Sequence, residues 1–127
     1  MKVVIKPSAI KGTLIAPASK SSMQRACAAS ILKEGHTWIK NAGNSNDDKA
    51  ALQLVKDFGA FSVDYLDDGG VVVVSDGVQC KNSEVNCGES GLSIRMFIPI
   101  IALCNNEVTI NGSGSLLSRP MNFFDEV

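Results

Sequence analysis

Apolar positions change their spacing several times along this chain, and each change marks an element. Residues 2–6 and 13–16 are short β-type runs, after which Pro17 breaks the pattern and a serine-rich stretch opens a helix. Across residues 21–32, Met23, Ala26, Cys27, Ser30 and Ile31 recur at helical spacing and form a small-residue face suited to close packing on a sheet. Gly35 ends that helix and residues 37–40 read as a strand. Asn46-Asp47-Asp48 then supplies capping residues and helix-start acids for a second helix whose Ala51, Leu54, Val55 and Phe58 share a face, closed by Gly59. Two strands follow, residues 61–65 and 71–75, joined by Asp67-Asp68-Gly69-Gly70, a turn suited to positive φ.

After a polar connector over residues 76–84 the pattern restarts. Gly88-Glu89-Ser90-Gly91 opens a helix running to Leu103, and residues 107–111 make a strand. With the two copies set about 70 residues apart, Arg25 falls over Arg95, and after a one-residue slip Ile39 falls over Ile110 and Gly43 over Gly114. The expected fold class is therefore α/β (α+β), built from repeated βαβαββ units. The second unit stops as its next helix begins at Arg119-Pro120-Met121, with Phe123 and Phe124 as its apolar face.

Composition narrows the function. Twelve basic and 13 acidic residues leave a net charge of −1, which argues against a surface for nucleic acid or anionic lipid, and 6% aromatic content leaves little for base stacking. No apolar run reaches membrane-spanning length and no signal-peptide pattern opens the chain, so a cytoplasmic protein is expected. Cys27, Cys80, Cys87 and Cys104 show no CxxC pair, and His36 is the only histidine, so reduced thiols and no metal site are expected. His36 and Trp38 on the first strand read as packing or surface residues.

Lysine is scattered, but the arginines are not: Arg25, Arg95 and Arg119 each follow a Ser- or Gly-containing segment at a helix start. A guanidinium binds carboxylate or phosphate in a bidentate way, and the free N–H groups of a helix N-terminus add positive charge. In Ser19-Lys20-Ser21-Ser22-Met23-Gln24-Arg25, Ser19 can cap the helix while Ser21 and Arg25 share a face beside Lys20. The same residues also suit a simple cap with solvated charges. Gly91 would let a ligand approach the backbone, Arg95 suits either ligand contact or pairing with Glu89, and Arg119 before Pro120 suits a helix entry or an ordinary exposed position.

Ala16-Pro17-Ala18-Ser19-Lys20-Ser21 followed by Arg25-Ala26 resembles the P-G-S-K-S…R-A opening of the EPSP synthases (3-phosphoshikimate 1-carboxyvinyltransferases). Cys87-Gly88-Glu89-Ser90-Gly91 through Arg95 resembles their N-(A/S)-G-T-x-x-R loop, and Ser115-Leu116…Arg119-Pro120-Met121 their S-L…R-P-M segment. The resemblance implies transfer of the enolpyruvyl group of phosphoenolpyruvate to the 5-hydroxyl of shikimate 3-phosphate, with no cofactor, in a monomeric parent. Carried over by position, Lys20 contacts both substrates, Ser21 and Arg25 hold shikimate 3-phosphate, Gly91 and Arg119 line the phosphoenolpyruvate site, and Arg95 and Ser90 support them. Gly91→Ala is then expected to weaken binding of the herbicide glyphosate in the intact enzyme.

Ala18, Glu89 and Leu92 depart from the family's glycine, asparagine and threonine, and the last two bear on loop conformation and inhibitor sensitivity. The family's acid and base residues lie mainly in its later half, so no catalytic residue is assigned here and this piece is expected to be inactive alone. The resemblance divides the chain into residues 1–15, strands belonging to a second domain and displaced, mobile or paired with another copy here, and residues 16–127, a partial domain. Its first unit spans about 16–76 and the start of the second about 85–127. Two alternatives remain: a non-catalytic anion-binding module of the same fold, and a relative of the UDP-N-acetylglucosamine enolpyruvyl transferases, which carry K-N at Lys20-Ser21 and lack R-P-M.

Overall fold

A computed structural model describes residues 1–122 and Phe124. Helix α1 (Lys20–Leu32) is capped by Ser19, whose side chain accepts from Ser22 N, and packs on α2 (Asn46–Asp57). The small face read from the sequence is what allows this: Met23, Cys27, Ser30 and Ile31 are buried, with Ala26 partly so. Helix α2 opens with a full capping box between Ser45 and Asp48, which ties the chain entry to the first turn from both sides. Ala51, Leu54, Val55 and Phe58 are all fully buried, as the helical spacing predicts.

Beneath the helices lies a three-stranded antiparallel sheet of β1 (Glu34–Ile39), β2 (Ala60–Tyr65) and β3 (Val71–Asp76), in the order β1-β3-β2. Central β3 presents Val71, Val73 and Ser75 inward, and the β2–β3 turn places Gly69 at φ 78° with Asp68 accepting from Gly70 N at 2.9 Å. Burial of large apolar side chains such as Phe58, Leu54 and Ile31, each contributing about 1.5–3 kcal/mol, holds helices and sheet together. The second half adds β4 (Glu84–Asn86), α3 (Gly91–Ile101) and β5 (Thr109–Asn111), with β4 and β5 paired in parallel across the helix. A 3-10 turn, Gly114–Ser118, follows.

Several expectations are corrected. Residues 2–6 and 13–16 form no strands, and Val3, Ile5, Ile10 and Ile15 are all exposed, because no described strand offers them a partner. The first unit therefore shows the order αβαββ. Gly35 does not end α1: Lys33 is its C-cap, and Gly35, at φ 92°, already belongs to β1. The connector ends in β4, too short to carry a periodic signal. Helix α3 stops at Ile101, two residues before the expected end, where a tight turn bonds Leu103 N to Ile100 O.

Arg119 does not enter a helix but ends the 3-10 turn as its C-cap, since Ser115 to Ser118 wind first. The expected face at Phe123 lies outside the described residues. Cys80 and Cys104, expected as reduced thiols, form a disulfide with Cα atoms 5.7 Å apart. The connector that carries Cys80 is itself tied to the end of α2, where Gln79 N donates to Phe58 O at 2.8 Å. Cys27 and Cys87 are free and fully buried.

Candidate functional site

The N-termini of α1, α2 and α3 open onto one small region. Lys20 is the first residue of α1, Asn46 and Asp47 open α2, and Gly91 opens α3. A cavity of about 160 Å³ is lined by Lys20, Ser21, Gln24, Asp47, Glu89, Ser90, Gly91, Leu92 and Arg119. A second, of about 400 Å³, shares Lys20, Asp47 and Glu89 and adds Ser45, Asn46, Gly88 and Ser113. Each helix is capped by a serine, Ser19, Ser45 or Ser90, that accepts from the third N–H of its helix. The earlier N–H groups of each first turn have no partner within their helix, so three partial positive charges converge on this space.

Side-chain charges are arranged on top of that field. Lys20 Nζ lies 2.7 Å from Asp47 Oδ2. The Asp47 carboxylate, through its hydrogen bond and its charge, holds Lys20 above the ordinary 10.5, against desolvation and the repulsion of Arg119. The guanidinium of Arg119 stands over Gly91: a methyl group there would lie 2.5 Å from Arg119 Nη1 and 3.1 Å from Arg95 Nη1. Arg119 Nη2 also donates to Ser115 Oγ at 3.3 Å, and Glu89 Oε2 accepts from Ser115 N at 3.3 Å, fixing the turn that delivers the arginine. Two cations and two carboxylates thus line the cavity walls, and the helix ends tip the balance toward an anion.

Of the predicted residues, Lys20, Ser21, Ser90, Gly91 and Arg119 meet at this cavity. Arg95 does not pair with Glu89; its Nη1 donates to Gly91 O at 3.1 Å and braces the turn. Arg25 lies instead on an apolar groove between α1 and α3, with Arg95, Ala28 and Met96. Two contributors escaped the sequence. Asp47 read as a helix-start acid only, and its pairing with Lys20 needs α1 and α2 side by side. Gln24, 1% exposed, accepts from Ser90 Oγ at 3.0 Å and so locks the cap of α3 to α1; a lone glutamine within a helix carries no sequence signal. Among the described residues no group of His, Cys, Asp and Glu is placed to hold a metal ion, and no helix is long and apolar enough to cross a membrane.

A family model described as EPSP synthase (3-phosphoshikimate 1-carboxyvinyltransferase) matches residues 4–124. A 3-phosphoshikimate 1-carboxyvinyltransferase of Clostridium perfringens is 33% identical over 129 aligned positions, covering 99% of this chain and 30% of the relative. Its counterpart in Korarchaeum cryptofilum is 35% identical, covering 94% of this chain and 28% of the relative. The solved EPSP synthase from Acinetobacter baumannii superposes with a TM-score of 0.77 at 26% identity, over 93% of this chain and 27% of that one. The chain thus spans about 30% of the length of the curated relatives it matches. It belongs to the EPSP synthase (3-phosphoshikimate 1-carboxyvinyltransferase) family.

Proposed function

We propose that this chain supplies one wall of the substrate cleft of a 3-phosphoshikimate 1-carboxyvinyltransferase. The reaction moves the enolpyruvyl group of phosphoenolpyruvate to the 5-hydroxyl of shikimate 3-phosphate, through a tetrahedral intermediate that eliminates phosphate. The observation that carries the reading is the meeting of three helix N-termini with Lys20 and Arg119 around Gly91, in a member of this family. Both substrates are anions, and the arrangement suits an anionic group approaching a backbone that has no Cβ in the way.

In this reading Lys20 touches both substrates and Arg119 and Gly91 hold phosphoenolpyruvate. Ser21, on the cavity wall, and Arg25, one turn along α1 and outside it, are both exposed and hold shikimate 3-phosphate. Ser90 and Arg95 support Gly91 through the bonds described above. The chain's own contribution is positioning and electrostatic stabilisation; proton transfer falls to groups on the facing wall. Residues 1–15 belong with that facing domain, and residues 16–76 and 85–127 are successive units of this one.

The test is an NMR titration of the chain with shikimate 3-phosphate and then phosphoenolpyruvate, following the amides of Lys20, Ser21 and Gly91. Localised shifts, reduced in Arg119→Ala for phosphoenolpyruvate and in Arg25→Ala for shikimate 3-phosphate, are expected. No shift with millimolar ligand would remove the claim that this wall binds by itself.

A further inference from the structure

The four cysteines fall into two pairs with opposite surroundings. Cys27 and Cys87 are 0% exposed within the core, and burial pushes their thiols up to about 12 and about 11, so they are poor nucleophiles at neutral pH. Cys80 and Cys104 are only partly buried, and they are bonded to each other. Their Cα separation of 5.7 Å needs no backbone movement for the bond to close. Both sit on ordered backbone: the connector is tied to the end of α2 by Gln79 N to Phe58 O and by Asn82 Nδ2 to Asp57 Oδ1, and Cys104 N donates to Ile101 O in the turn that ends α3.

We propose that Cys80 and Cys104 are a thiol–disulfide exchange site, closed by a small disulfide of the glutathione type, that staples the β3–β4 connector to the end of α3. The thiolate of one cysteine attacks the small disulfide, giving a mixed disulfide and one released thiol. The second protein thiolate then attacks the protein sulfur and releases the other small thiol. The two cysteines together give up two electrons and two protons, and the small disulfide is reduced to two thiols. The closed segment, residues 80–104, holds β4, the Gly88–Gly91 turn and all of α3. The bond therefore restrains the half of the candidate site that carries Ser90, Gly91 and Arg95, and it constrains the unfolded chain over the same span. This inference is independent of which substrate the cavity takes.

The experiment equilibrates the whole chain in glutathione buffers of increasing oxidised fraction, alkylates it under native conditions, maps the peptides without reduction, and melts each sample. The expected product is one intramolecular Cys80–Cys104 link, lighter by two hydrogens, with Cys27 and Cys87 alkylated only after unfolding. Oxidation is expected to raise Tm by about 5–10 °C, a shift absent in Cys80→Ser and Cys104→Ser. Should either variant fail to fold, the oxidised and reduced wild-type melts decide alone. Free Cys80 and Cys104 at every poise, retained glutathione adducts in place of the internal link, or a link without a change in Tm would each overturn the proposal.

Discussion

Replacing Gly91 with alanine separates the site from the fold that carries it. Gly91 starts α3 and does not adopt positive φ, so the backbone accepts alanine, which favours a helix by up to about 1 kcal/mol over glycine. The added methyl would lie 2.5 Å from Arg119 Nη1, whereas ordinary contact begins at 3.4 Å, so the guanidinium must retreat by roughly an ångström. That is easy for the end of a flexible side chain and ruinous for a hydrogen bond, which is lost over the same distance. A charge-assisted bond contributes about 1.5–3 kcal/mol, so under the role proposed for Arg119 phosphoenolpyruvate binding should weaken by about 10- to 100-fold. Calorimetric or NMR titration gives the affinity, and a thermal melt should show stability unchanged or slightly raised. In the Arg119→Ala background the same alanine should cost much less, because only the milder 3.1 Å approach to Arg95 Nη1 remains. Unchanged affinity in a folded Gly91→Ala chain, or an equal loss with and without Arg119, would refute the reasoning.

Ser90→Ala removes both the cap of α3 and the bond to buried Gln24, and should lower unfolding free energy by about 2 kcal/mol in urea denaturation; a loss under 0.5 kcal/mol would show that neither bond matters. Lys20 supplies the pH dependence: with its folded pKa raised by Asp47, its contribution to stability is complete below the unfolded value of 10.5 and lost as pH climbs through the folded one. Side-chain NMR of Lys20 against pH should therefore show a lower midpoint in Asp47→Asn, and an identical midpoint would remove Asp47 as the cause.

What could be read in advance follows the range of the interactions involved. Helical spacing at Ala51, Leu54, Val55 and Phe58, and the Asp68-Gly69 turn, are local patterns, and both are present in the structure. Lys20, Gly91 and Arg119 were legible as separate helix-start or turn residues, yet their meeting depends on α1 and α3 packing. Asp47 and Gln24 were missed because their partners lie 27 and 66 residues away. The Cys80–Cys104 pairing, at a separation of 24, was hidden for the same reason. Residues 2–6 and 13–16 are β-type runs that form no strand, since a strand exists only against a neighbour and the family resemblance puts theirs in a second domain.

Mutation can delete a side-chain charge but not a backbone dipole. Because the three helix starts contribute through the main-chain N–H groups that precede those capped by Ser19, Ser45 and Ser90, part of the attraction at this cavity is written in no residue's identity. The site therefore has a floor of affinity that any single lining substitution leaves standing. Loss of one cation should therefore weaken anion binding without abolishing it, provided the helices still begin where they do.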